Sequence, residues 1–401
     1  MNSETSTKDD LFLFCQAVET IRLTRPLLGK VVTEEKGLLE NDLFFLSMEH
    51  KLNDIGQLAC QAVICSQTHP QRYLLESDLN CSVILVTENT IFTSGDVITV
   101  SVKGRIHRNY RVASGNNAFL VTESCNNLCI MCPQPPKPQK INVDNQCEGR
   151  INQVLNLIGK EHIPATLCIT GGEPTMLKQG LVNIVEDITR QMPDTLVHLL
   201  TNGRSFCYEK NVADISSAAK GNMLAGIPLF AHVSDIHDYI VQSHGAFDQT
   251  MAGLLNCYKY GIAVELRVVL HRQTIPHLVE LAEFISRNLF FVKHVALMGM
   301  ENMGFAKMNR KELHIDPWEY KDTLSKAVKL LDLYGIETRI FNLPLCVVNS
   351  DAHQHCVQSI SDFKNIYHPE CSSCSKQAIC CGFFSSSTEK FPLTHHIVAF
   401  H

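Results

Sequence analysis

The chain has 401 residues, 45% of them hydrophobic and 19% charged, a balance that excludes a disordered or fibrous protein and allows a sizeable core. Its net charge of -6 lacks the basic footprint of a chain built to neutralise nucleic-acid phosphates, so no nucleic-acid partner is expected. The longest apolar runs, such as Leu289–Val292 and Ile227–Phe230, fall far short of the roughly 20 residues needed to cross a bilayer, so no membrane partner is expected either. No apolar segment with a small-residue cleavage site follows the polar start Met1–Asp10; a secretory or transit signal is not predicted, and the expected location is cytoplasmic. Seventeen cysteines, an odd number, cannot all pair within one chain, and in a reducing compartment their clusters point to metal or redox chemistry.

Residues 1–117 read as a mixed, β-rich N-terminal domain of unknown role. An apolar, helix-like stretch spans Leu11–Ile21, and the β-branched runs Ser82–Thr87, Thr90–Thr93 and Asp96–Val102 suggest an antiparallel meander. Lys103, Arg105, His107, Arg108 and Arg111 read as a solvated hairpin face. Cys15, Cys60, Cys65 and Cys81 are scattered and read as buried structural thiols.

From Ala118 the pattern changes to apolar strands separated by helical stretches, the signature of βα units and a parallel sheet. The expected strands are Phe119–Thr122, Thr166–Thr170, Leu196–Thr201, Ile227–His232, Ala263–Leu270 and Val292–Met298. Helices are expected at Gln153–Glu161, Lys178–Gln191, Asp214–Lys220, Phe247–Tyr260 and Pro276–Asn288. This α/β domain covers 118–315. A further helix, Pro317–Tyr334 with Asp316 as its N-cap, opens a C-terminal extension, 316–401, and leads to a strand at Glu337–Phe341. Beyond Cys346 the periodicity fades, so the tail needs something other than a core to hold it.

The chemistry is carried by Cys125-Asn-Asn-Leu-Cys129-Ile-Met-Cys132, in the loop directly after the first expected barrel strand. Three thiolates can bind three irons of a cubane cluster and leave the fourth open, although a three-cysteine zinc site competes with that reading. Thr170-Gly171-Gly172-Glu173-Pro174 falls at the end of the second strand, where glycines let backbone approach a ligand and Glu173 adds an acceptor. Thr201-Asn202-Gly203 ends the third strand.

In this order the three elements resemble the radical SAM superfamily. The resemblance implies a partial (β/α)6 TIM barrel in which Cys125, Cys129 and Cys132 ligate a [4Fe–4S] cluster. S-adenosyl-L-methionine would occupy the open iron, its amino group held by the turn Gly171, Gly172, Glu173 and Pro174, with Thr201 and Asn202 nearby. Met131 stands where the family more often has an aromatic residue, and its thioether can still pack a purine face. An electron, from a donor such as flavodoxin or ferredoxin, would split the cofactor to a 5′-deoxyadenosyl radical that takes hydrogen from substrate. No side chain is singled out as catalytic.

Cys371-Ser-Ser-Cys374-x5-Cys380, with Cys346 upstream, offers four thiolates, enough to close a cluster or a structural zinc site that folds a coreless tail. The pattern resembles SPASM or twitch extensions, which implies one auxiliary [4Fe–4S] cluster, with Cys356 and Cys381 as spare thiols and Cys381 read as a neighbour. Ser234-Asp235 and His237-Asp238 read equally as substrate contacts or as a polar loop. The direction of Arg267 is open; Met298, Gly299 and Glu301 are placed for contacts to adenosine; His271 and His294 read as packed or surface histidines.

The run Cys125 to Lys137, with Ser243 to Thr250, Glu265 to Val269, Pro369 to Cys374 and Phe383-Phe384, is similar to the maturases of the His-Xaa-Ser system, of the HxsC type; Cys381 stands where glycine is expected. That similarity implies a ribosomally synthesised peptide as substrate and a second radical SAM maturase as partner. The alternatives are radical chemistry on a nucleotide, cofactor precursor or RNA base, and a non-catalytic iron–sulfur or zinc-binding protein.

Overall fold

The computed structural model describes residues 14–52, 58–138, 147–358, 366–387 and 390–401. They fall into two units, one reaching Phe119 and including Gly149–Leu167, the other holding Leu120–Glu148 and Cys168–His401.

The first unit is built on eight strands: Phe14–Gln16 (β1), Glu19–Ile21 (β2), Leu27–Val32 (β3), Leu43–Leu46 (β4), Ala62–Ser66 (β5), Ser82–Val86 (β6), Val97–Val100 (β7) and Arg105–Tyr110 (β8). Their order is β1-β8-β7-β3-β4-β5-β6-β2. Where a helix was expected from Leu11, the described residues form β1 and β2; residues 11–13 lie outside the described residues. The short link between them crosses from one edge of the sheet to the other, the Ala17 N–H donating to the Gly104 carbonyl (2.8 Å) and the Val18 N–H to that of Leu85 (2.7 Å).

Nor is this region a simple antiparallel meander. β3, β4, β5 and β6 pair in parallel, the last pair through the crossover helix Arg72–Asp78. Thr90–Thr93 is no strand, because Asp96 Oδ2 accepts the Thr93 N–H (3.1 Å) and folds the segment into a turn. Ile64, Ile84, Ile98 and Ile106 fill one core and Phe44, Val63, Leu75 and Leu85 another, so alternate residues of β4 to β6 are buried on opposite faces. Cys60 and Cys81, distant in sequence, meet at 3.9 Å between sulfurs.

The second unit is α/β. Its sheet runs β15-β14-β13-β12-β11-β10-β9, with strands Asn117–Thr122 (β9), Thr166–Gly171 (β10), Leu196–Leu200 (β11), Met223–Pro228 (β12), Ala263–Leu270 (β13), His294–Gly299 (β14) and Thr338–Phe341 (β15). Every pairing from β11 to β15 is parallel. The strand after Pro317–Leu333 therefore joins the sheet as a seventh member. That helix starts on a full capping box of Asp316 and Glu319, with Pro317 in its first turn. β12 begins and ends about four residues before the expected Ile227–His232, since the apolar stretch Leu229–Ala231 is buried as loop. Among the described residues no helix is long and apolar enough to cross a membrane.

Candidate functional site

β9 hands the chain straight to the loop that carries Cys125, Cys129 and Cys132, and this loop is held by backbone from three sides. The turn after β10 donates Gly172 N–H to the Thr122 carbonyl (2.8 Å) and Glu173 N–H to that of Ser124 (2.7 Å). Leu128 and Ile130 donate to the carbonyls of Val241 and Ile240, at the end of the helix Ser234–Val241 (3.1 and 3.0 Å). Phe305 N–H reaches the Cys132 carbonyl (2.8 Å), and the Asn309 amide reaches that of Ile130 (2.8 Å).

The glycines of the Gly-Gly-Glu turn serve this docking. A Cβ on Gly171 would stand 2.6 Å from the Thr122 carbonyl oxygen, and one on Gly172 would collide with that of Ser124. Their close approach is to the chain beneath the cysteines, and both also line the cavity above it.

Glu173 has no solvent exposure. Its Oε1 accepts from Thr175 N–H (3.0 Å), Thr175 Oγ1 (2.6 Å) and Thr201 Oγ1 (2.7 Å), and its Oε2 accepts from Asn202 N–H (2.6 Å). The carboxylate is a brace between the ends of β10 and β11, and neither it nor Pro174 lines the cavity above.

Arg204 was not singled out by sequence. Its guanidinium donates to the Asn126 carbonyl (2.8 Å) and to Asn127 Oδ1 (2.5 Å), and Nε donates to Gln249 (2.7 Å). The Asn202 amide donates to Asn126 Oδ1 (2.6 Å). The Asn-Asn pair between the first two cysteines is thus the handle by which the third βα loop grips the cysteine loop.

Above these supports lies a cavity of about 400 Å³. It is lined by all three cysteines, Met131, Gly171, Gly172, Thr201, Asn202, Met298, Gly299 and Glu301 among others. Met131 is buried against Phe230, Ile240 and Ala306 and also contributes to this wall. Arg267 faces inward, lining the cavity, with Nη1 on Glu265 (2.8 Å) and Nη2 against Met298 Sδ (3.2 Å). Glu265 also binds His294 (2.8 Å). Burial would raise the Glu265 carboxyl, but the His294 hydrogen bond and the Arg267 charge outweigh it and hold the group at about 2.

Burial pushes the Cys125 thiol up to about 11 and Cys129 up to about 12, with neighbouring thiols adding to both. Burial raises Cys132 as well. A bound cation reverses this, because a coordinating thiol is deprotonated outright. The Asn127 N–H donates to Cys125 Sγ (3.4 Å), the kind of contact that tunes a cluster-bound sulfur. Among the described residues no three His, Cys, Asp or Glu side chains sit as a single metal ion would need them.

The tail forms a second, smaller cavity lined by Cys346, Cys371, Cys374 and Cys380, together with Lys376 and residues 397–400. Backbone N–H groups of Leu345 (3.4 Å) and Gly382 (3.5 Å) donate to Cys380 Sγ, and that of Phe400 (3.4 Å) donates to Cys374 Sγ. The Cys381 thiol beside it and these amides bring Cys380 down to about 6. Cys356 and Cys381 do not line this cavity; their thiols rest on the carbonyls of Ala352 and Gly382.

Ser234 and Asp235 begin a helix where the polar-loop reading had them. His237 is buried, accepting the Phe230 N–H at Nδ1 (3.3 Å), and Asp238 holds the N–H groups of Gly245 (2.6 Å) and Phe247 (2.8 Å). None of the four lines the main cavity. His271 and His294 are packed, with no place in either wall.

The second unit is thus an α/β sheet with a three-cysteine loop after its first strand, opening on one cavity. Residues 119–285 match the model of the radical SAM superfamily, whose enzymes use a [4Fe–4S] cluster and S-adenosylmethionine. Pre-heme d1 synthase of Dinoroseobacter shibae is 27% identical over 206 residues, which are 48% of this chain and 47% of that relative. The chain thus spans about half the length of the curated relative it matches. Similar solved structures include SuiB of Streptococcus suis, at 12% identity over 57% of this chain and 49% of that one, with a TM-score of 0.44. Coproporphyrinogen III oxidase of Escherichia coli matches at 14% identity over 57% and 54% of the two chains, with a TM-score of 0.45.

Proposed function

We propose that the chain is a radical SAM maturase of a ribosomally synthesised peptide of His-Xaa-Ser type. Cys125, Cys129 and Cys132 would hold the [4Fe–4S] cluster, and Cys346, Cys371, Cys374 and Cys380 would hold an auxiliary one. Bound there, the reduced cluster and S-adenosylmethionine supply a 5′-deoxyadenosyl radical able to take hydrogen from an unactivated C–H bond. The chain's own part is to seat and dry the site. Arg204 and Glu173 fix the cysteine loop and the turns after β10 and β11, Met131 gives an apolar wall, and Arg267 presents fixed positive charge to the cavity.

The observation that carries the reading is that one cavity gathers the three cysteines, the Gly171-Gly172 backbone and the Thr201-Asn202 loop end. The peptide substrate is supported by the similarity of Cys125 to Lys137 and Ser243 to Thr250 to the maturases of that system. A second reading, a heme-type cofactor precursor as substrate, is supported by the likeness to pre-heme d1 synthase.

Anaerobic reconstitution and dithionite reduction with S-adenosylmethionine should yield 5′-deoxyadenosine. A protein with intact cluster that yields none overturns the enzymatic reading. Incubation with a His-Xaa-Ser repeat peptide should then change the peptide's mass; turnover of a heme precursor with no peptide change would favour the second reading.

A further inference from the structure

Cys60 and Cys81 face one another at 3.9 Å between sulfurs; they line neither cysteine cavity and belong to the other unit of the chain. They lie just before two strands whose pairing is set: Ala62 stands opposite Ser82 in the parallel β5–β6 ladder. Little has to move for their sulfurs to bond, since adjacent strands already hold their backbones at the spacing a disulfide spans.

The two thiols differ in surroundings. Cys60 is 8% exposed, packed with Leu46, Leu75 and Val83. Cys81 is half-buried, and its carbonyl accepts from Arg22 Nε (3.1 Å). The same guanidinium is pinned by the carbonyls of Glu76 (2.9 Å) and Leu75 (3.1 Å), so its charge stays beside Cys81. The Cys60 thiol as hydrogen-bond donor, aided by a backbone amide and by Arg22, brings Cys81 down to about 7. Asp42 is the other charged group facing the pair, on the Cys60 side.

We propose that Cys60 and Cys81 form a peroxide-sensing dithiol, in which half-buried Cys81 is oxidised first and buried Cys60 resolves it to a disulfide. An accessible thiolate poised beside a resolving thiol is the arrangement that makes sulfenic acid formation reversible. The Cys81 thiolate attacks the O–O bond of hydrogen peroxide, forming a sulfenic acid and releasing hydroxide, which takes up a proton to become water. The Cys60 thiol then attacks the Cys81 sulfur: the S–S bond forms, the S–O bond breaks, and the hydroxyl leaves with the Cys60 proton as a second water. Two thiols lose two electrons and one peroxide gains them. This site is independent of which substrate the enzyme takes.

The test uses the full-length, cluster-loaded chain, treated with one equivalent of hydrogen peroxide, alkylated and mapped by mass spectrometry. A peptide pair linked through Cys60 and Cys81, released by dithiothreitol, is expected. Cys60→Ser should leave Cys81 trapped by dimedone, whereas Cys81→Ser should leave Cys60 unlabelled. At pH 7 the Cys81 thiol should alkylate about tenfold faster than Cys207, whose thiol burial raises. The proposal falls if peroxide scatters linkages evenly among the thiols, or if Cys81 reacts no faster than Cys207 and gathers no dimedone in Cys60→Ser.

Discussion

Replacing Glu173 by glutamine separates a bracing role from a ligand-binding one. The carboxylate accepts two backbone N–H groups, from Thr175 at one oxygen and Asn202 at the other, plus two threonine hydroxyls. Hydroxyls can turn and accept instead; backbone N–H groups cannot. Whichever way the glutamine amide is oriented, its NH2 faces one of those two backbone donors, so one buried donor goes unsatisfied at a cost of about 1–3 kcal/mol. At about 2 kcal/mol the thermal midpoint should fall by roughly 4–8 °C for a unit of this size. Differential scanning calorimetry on the cluster-loaded protein measures the midpoint, and equilibrium dialysis measures S-adenosylmethionine affinity. An unchanged midpoint with tenfold weaker cofactor binding would refute the brace and make Glu173 a direct ligand contact.

Arg204→Lys keeps the charge but loses the planar group that holds Gln249 through Nε while Nη1 grips Asn126 and Asn127, and should speed iron loss to a chelator about tenfold, a weakening of about 1.4 kcal/mol; an unchanged rate would release Arg204 from this role. Cys380→Ala should lower iron from about eight to about four per chain, whereas Cys381→Ala should leave it unchanged; iron and sulfide assays decide. Burial holds His237 and His271 at about 4, and each neutral ring accepts a backbone N–H at Nδ1. Their folded values lie below the unfolded 6.5, so the stability they carry is complete above pH 6.5 and is lost as pH falls through 4. The unfolding free energy should then drop by up to about 2.7 kcal/mol per pH unit across that window, and urea titrations of His237→Gln/His271→Gln should show a shallower slope.

Legibility in the sequence followed how local each signal is. Ala263–Leu270 was readable to the residue, because an apolar, β-branched run between turns has one reading, and Asp316 with Pro317 marked its helix start by chemistry alone. β12 was misplaced because apolarity reports burial rather than strand: Leu229, Phe230 and Ala231 are buried as loop. The cysteine loop and the turns after β10 and β11 were identifiable as a site, whereas the bracing by buried Glu173 was not, because its partners Thr201 and Asn202 come from the next strand end. Arg204 left no mark, since a guanidinium that reaches a loop 77 residues earlier has no local pattern. Cys60 and Cys81 looked scattered for the same reason; the β5–β6 register brings them together.

The way β1 and β2 close the first sheet sets an order of events during synthesis. β1 pairs with β8, some ninety residues later in the chain, and β2 pairs with β6. At ribosomal rates of about 5–20 residues per second, the β1 segment waits roughly 5–20 s for its partner to be made. Until then β1 has no ladder partner, and the short first strands serve as a clasp that only the later-made β6 and β8 can fasten. Changes that weaken the clasp, such as a proline at Cys15, should therefore show as aggregation of the nascent protein well before they show as a lower melting point.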